Sequence, residues 1–123
     1  MERARVWSGY FVAAFLVLSA GAHSGLGWSV VEGELAKTNV PADLAVGIGV
    51  AWRLGGAAML VFAAIVASGA RARSRGEPAG LPARAVAVGY LLYGVWAFAT
   101  AGFDSFFLVM FIGPGALALF SAW

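Results

Sequence analysis

The chain has 123 residues, of which 62% are hydrophobic and only 11% charged, and its mean hydropathy is +0.87. A soluble domain carries roughly a quarter charged residues and could not hide this much apolar surface, so a water-soluble fold is excluded. The net charge of +2 comes from eight Lys and Arg against six Asp and Glu. All of these charges but Arg53 sit at or beyond the ends of apolar runs and form no basic, aromatic-studded face, which argues against a nucleic-acid partner. The lack of cysteine removes disulfide, thiolate and iron–sulfur chemistry.

A spanning helix needs about 20 mostly apolar residues, and four windows meet that length, at about 6–28, 44–69, 84–102 and 105–122. They predict an all-α polytopic membrane protein: a single membrane domain over 1–123, folded as a four-transmembrane-helix bundle of two helical hairpins. A β-barrel is disfavoured because these runs are continuous and do not alternate in polarity. The first run is too long for a signal peptide, ends in bulky Trp28 and precedes three more spans, so the chain is expected to be the mature protein. Along it Ser19, His23 and Gly27 recur every four residues. A short interfacial helix is expected over 30–36, and Pro41 and Asp43 suit the start of the second span. There Ala45, Gly49 and Arg53 recur every four residues, with Gly56 near the next turn. Small-residue stripes let helices approach closely, which directs His23 and Arg53 toward the bundle interior.

Residues 70–83 are rich in Arg, Gly, Pro and Ser and read as a flexible cytoplasmic linker. In the third run Tyr90, Gly94, Ala97 and Ala101 form another stripe, with Tyr93 and Thr100 at its edge. Only Phe103 and Asp104 separate it from the fourth run, so Asp104 or Ser105 caps the last helix of a tight antiparallel pair. Pro114, between Gly113 and Gly115, has no N–H for the carbonyl of Met110; the helix is expected to bend there and leave that acceptor free.

Charge placement predicts orientation. Arg3 and Arg5 at the amino end and Arg71, Arg73, Arg75 and Arg84 before the third span mark the cytoplasmic side. Glu32, Glu34, Asp43 and Asp104 mark the outer side. Both termini are then cytoplasmic, and the basic ends meet anionic lipids of the bilayer.

Inside the spans lie His23 and Arg53. Counted at about 1.5 Å per residue from the outer boundary, His23 is about 7 to 8 Å deep, Arg53, Tyr93 and Pro114 about 13 to 14 Å and Trp96 about 9 Å. An outer-half cavity built from His23, Arg53, Tyr93, Trp96 and Asp104 is therefore the candidate ligand-binding site. Arginine at such depth costs at least about 2.5 to 3.5 kcal/mol by insertion scales and needs a partner. The candidates are Asp104, Glu32, Glu34, Tyr93, the Met110 carbonyl, or an anionic group of a ligand or lipid. A buried cation that locks packing and an arginine that snorkels outward are the other readings.

His23 reads as a packing residue hydrogen-bonded to Ser19, Ser24 or Thr100, as a proton acceptor in coupled transport, or as a haem ligand. One His and no Cys cannot make a protein-only metal site, and bis-His haem needs a second subunit. No cofactor is therefore expected, haem being the one candidate. No catalytic residue is assigned, because the usual nucleophile–base pairs and glycine loops are missing. Trp7, Trp28 and Trp123 fit interfacial anchors.

Ala22-His23-Ser24-Gly25-Leu26-Gly27, Ala51-Trp52-Arg53 and Gly113-Pro114-Gly115 resemble segments of a group of small, uncharacterised four-span bacterial membrane proteins. In that group the second-span Trp is followed by His, where this chain has Arg53. The resemblance implies a stand-alone multi-pass protein of the bacterial inner membrane and carries no activity. Small multidrug transporters share the span count but look different, because their first span carries a membrane-embedded Glu. The expectation is a protein that binds or transports a small molecule or lipid. The alternatives are a non-catalytic accessory or assembly subunit and a membrane-embedded haem protein or enzyme. Four spans enclose little volume, so a homo-oligomer or membrane complex is expected.

Overall fold

Long apolar runs can satisfy their backbone polar groups away from water only as helices or closed barrels. The structure, a computed structural model describing all 123 residues, is helical with no strand. Its elements are α1 (Glu2–Ala22), a π-helical turn (His23–Gly27), α2 (Trp28–Leu35), α3 (Ala42–Ser74), α4 (Gly80–Thr100), α5 (Ser105–Phe107), a second π-helical turn (Leu108–Ile112) and α6 (Gly113–Ala122). Four helical stretches are long and apolar enough to cross a membrane: Glu2–Leu35, Ala42–Ser74, Gly80–Thr100 and Ser105–Ala122. Their apolar windows are only 17 to 28% buried by the chain itself, so most of that surface needs lipid or another chain to cover it. The chain is thus a multi-pass membrane protein by length, composition and uncovered apolar area.

The helix ends differ from the sequence boundaries. The expected interfacial helix is continuous with the first span, since the π turn passes directly into α2. The expected linker over 70–83 is shorter, because α3 runs on to Ser74 and α4 begins at Gly80. Ala and Arg are strong helix formers, and Arg71 and Arg73 in the last turn suit its negative end.

Two glycines stop these helices by one device. Gly76 (φ +78°) and Gly102 (φ +68°) adopt the left-handed conformation that a side chain disfavours. Beyond each, the reversed chain closes paired bonds. Glu77 N–H donates to the Ala72 carbonyl and Gly76 N–H to Arg73, while Phe103 N–H donates to Phe98 and Gly102 N–H to Ala99. Both are Schellman motifs, and the second carries its usual apolar contact, Phe98 against Phe103 at 5.3 Å between ring centroids.

Two compact units divide the chain. The first comprises residues 1–15 and 62–123. In it Gly94 lies against Phe111 and Gly115 against Leu91, while the Arg84 Nε–H donates to the Ala122 carbonyl at 3.3 Å. These contacts run in opposite order along α4 and the final helical stretch. Gly69 approaches Ala79 and Ala83, and Gly9 approaches Ala70 and Ser121. Glu2 holds Arg73 at 3.0 Å and Arg5 at 3.7 Å.

The second unit, Leu16–Val61, holds the polar residues of the first two spans. Here too the small residues permit close approach. Gly27 meets the Trp52 ring, Gly49 the Trp28 ring, Gly55 the His23 ring and Gly56 the Ser24 hydroxyl.

Candidate functional site

His23 opens the first π turn. A π turn inserts one residue into the helix and re-aims the side chains on either side of it. Its Nε2–H donates to the Trp52 carbonyl at 3.0 Å, because a carbonyl only accepts. Trp52 returns the bond, its indole N–H donating to the His23 carbonyl at 2.7 Å. Between these bonds the rings lie stacked, with centroids 4.3 Å apart and planes 7° from parallel. The His23 carbonyl also accepts the Trp28 N–H across the π turn. Trp52, not Ser19, Ser24 or Thr100, is therefore the partner of His23; the Thr100 hydroxyl bonds back to the Trp96 and Ala97 carbonyls of its own helix. With Nε2 engaged, a metal or haem would have to use Nδ1.

Arg53 departs from its expected inward position. It is exposed and lies with its guanidinium 4.9 Å from the centroid of the Trp28 ring. The reason is local: Gly49 leaves room for both groups, since a Cβ there would sit 2.9 Å from Trp28 Cη2 and 3.3 Å from Arg53 Nη1. Trp28 thus forms the seat of a cation, a role beyond the interfacial anchor expected of it. Together they border a cleft of about 530 Å³. Glu32 and Thr38 supply its other polar lining, and Val46 and Val50 are among its apolar wall.

Tyr93, Trp96 and Asp104 lie in the first unit. Tyr93 packs against Phe111 at 5.3 Å and Trp96 at 5.6 Å between centroids, so these two are brought together. Asp104 caps α5 as expected, accepting the Phe106 N–H at 2.9 Å. The carbonyl freed by Pro114 is also as expected, but the phenol that meets it is Tyr90, whose O–H donates to Met110 at 3.2 Å. Sequence reasoning missed Trp52, Trp28 as a cation seat, and Tyr90 as a donor. Trp52 carried one signal: it is the ring directly beside Arg53, opposite a stripe ending in Gly27.

No cluster of three or more His, Asp or Glu side chains is assembled that could hold a metal ion. Comparisons with protein-family models, curated proteins and solved structures found no match. The chemistry available to the cleft is recognition: a cation held on an aromatic face, free to bind a polar or anionic group beside an apolar wall.

Proposed function

We propose that this protein binds, or carries across the membrane, a small polar or amphipathic molecule in the Arg53 cleft. Supporting this most directly is a guanidinium seated on Trp28 with no carboxylate paired to it: the chain's ion pairs join Glu2 to Arg5 and Arg73, and Glu34 to Lys37. In this reading the spans form two hairpins with both termini in the cytoplasm of a bacterium, and the cleft opens to the outer leaflet of the inner membrane. Its volume lies in the ordinary range for small-ligand sites, about 300 to 1,000 Å³.

The test is a thermal-shift screen of the detergent-purified protein against short-chain phospholipids and free small anions. Protection that Arg53→Ala abolishes, while the variant still inserts and purifies, supports the reading. Equal protection of the variant would sink it. A second reading, a non-catalytic accessory subunit, draws on His23. Its Nε2 and its carbonyl are both bonded to Trp52, which favours a role for His23 in helix packing. A stable protein co-purifying in mild detergent supports that reading.

A further inference from the structure

The charges that line the cleft number two, and they are of opposite sign. Arg53 stands on α3 and Glu32 on α2. Glu32 follows Trp28 by four residues, which places it one helical turn from the ring that seats the guanidinium. Neither takes part in any of the chain's ion pairs. A purely anionic ligand on Arg53 would meet repulsion from Glu32, and a purely cationic one at Glu32 would meet it from Arg53. A ligand carrying both signs a short distance apart satisfies both groups at once, and the cleft stays neutral when filled. Leu35, Val46 and Val50 continue the lining and suit an apolar remainder.

Resting on the ligand cleft proposed above, we infer that its occupant is zwitterionic: a phosphate ester bearing an ammonium group, with phosphate on Arg53 and ammonium on Glu32. Arg favours phosphate because its planar fork offers paired N–H donors. The same chemistry occurs in a phosphoethanolamine lipid headgroup and in soluble glycerophosphoethanolamine.

The experiment measures thermal protection of the full-length protein by three probes: dihexanoyl phosphatidylethanolamine, dihexanoyl phosphatidylglycerol and glycerophosphoethanolamine. Wild type is expected to bind the ethanolamine lipid about tenfold or more tightly than the glycerol lipid, the scale of one charge-assisted contact. Glu32→Gln should erase that preference, Glu32→Asp should retain it in part, and Arg53→Gln should weaken both lipids. Stronger protection by the lipid than by glycerophosphoethanolamine assigns the source to the bilayer; equal protection assigns it to a soluble zwitterion, and either supports a zwitterion site. An unchanged lipid preference in Glu32→Gln overturns the inference, and so does a wild type that favours the glycerol lipid. In those cases a loss of binding in Arg53→Gln still upholds the cleft itself, whereas binding untouched by Arg53→Gln removes both.

Discussion

Counted along its span, the backbone of Arg53 lies at a depth where a cation demands more than an aromatic seat supplies. A cation–π contact stabilises by about 0.5 to 2 kcal/mol, against an insertion cost of at least about 2.5 to 3.5 kcal/mol. Its guanidinium, however, is exposed and reaches Trp28 and the cleft it shares with Glu32 and Thr38, so snorkelling toward the outer boundary offsets the difference and leaves its N–H donors free for the ligand proposed above, whereas the His23–Trp52 pair is self-contained. The seat itself depends on Gly49. Adding a methyl there pushes on Trp28 and on the guanidinium together, so Gly49→Ala should destabilise the protein by about 1 to 3 kcal/mol, as overpacking does, and should weaken ligand protection. A methyl group at Gly47 would meet nothing within 4 Å, so Gly47→Ala should be neutral or stabilising by up to about 1 kcal/mol through helix propensity. Chemical unfolding in micelles separates the two; a Gly49 variant as stable as the Gly47 one would mean that the ring is not held there. His23 makes a different kind of contribution. His23→Phe keeps an aromatic ring for Trp52 but loses the N–H, and should cost about 0.6 kcal/mol, the typical value of an interhelical hydrogen bond in a membrane.

Helical elements interrupted by π turns pose a harder reading problem than single residues. Pro114 announces a missing donor at Met110 in the sequence, and the bond from Tyr90 answers it. Counting along the span puts Tyr93 in this zone instead, because a periodic stripe identifies a helix face, while the sliding register between two helices is set by side-chain packing, here Gly94 against Phe111 and Gly115 against Leu91. The π turns themselves leave no trace in composition, since the one residue each inserts shifts the helix faces on either side without altering the polarity of the segment. A double-mutant cycle tests the Pro114 account. Tyr90→Phe alone should cost about 0.6 to 1.7 kcal/mol. In a Pro114→Ala background the new amide can reach the Met110 carbonyl, so the same substitution should cost markedly less. Equal costs in both backgrounds would show that the phenol does not compensate for the proline. The caps follow a simpler rule: Gly102→Ala forces a side chain into the left-handed region and should lose about 1 to 2 kcal/mol by thermal unfolding.

For the whole molecule, four helical spans were legible because about 20 apolar residues in sequence admit no other solution in lipid. The partners of His23 and Arg53 were less so, since Trp28 sits where an interfacial anchor would and Trp52 is one more large apolar residue of the second span, and both reveal their roles only when Gly49 and Gly27 let the rings approach. Orientation rests on charge. Arg5, Arg73 and Arg84 are engaged by Glu2, by Phe120 and by the Ala122 carbonyl, which gathers basic side chains at one end of the first unit, whereas Glu32, Glu34 and Asp43 flank the segment between α2 and α3. The bias of Lys and Arg toward cytoplasmic segments therefore predicts that Ser74 lies inside and Gly33 outside. Because the chain has no cysteine, single-cysteine labelling can read this directly. Both positions are exposed, and a side chain at Gly33 meets nothing within 4 Å. In intact cells a membrane-impermeant maleimide should label the Gly33→Cys variant, and it should label Ser74→Cys only after permeabilisation. The reverse pattern would invert the protein and turn the Arg53 cleft toward the cytoplasmic leaflet; labelling of both variants in intact cells would rule out the two-hairpin topology.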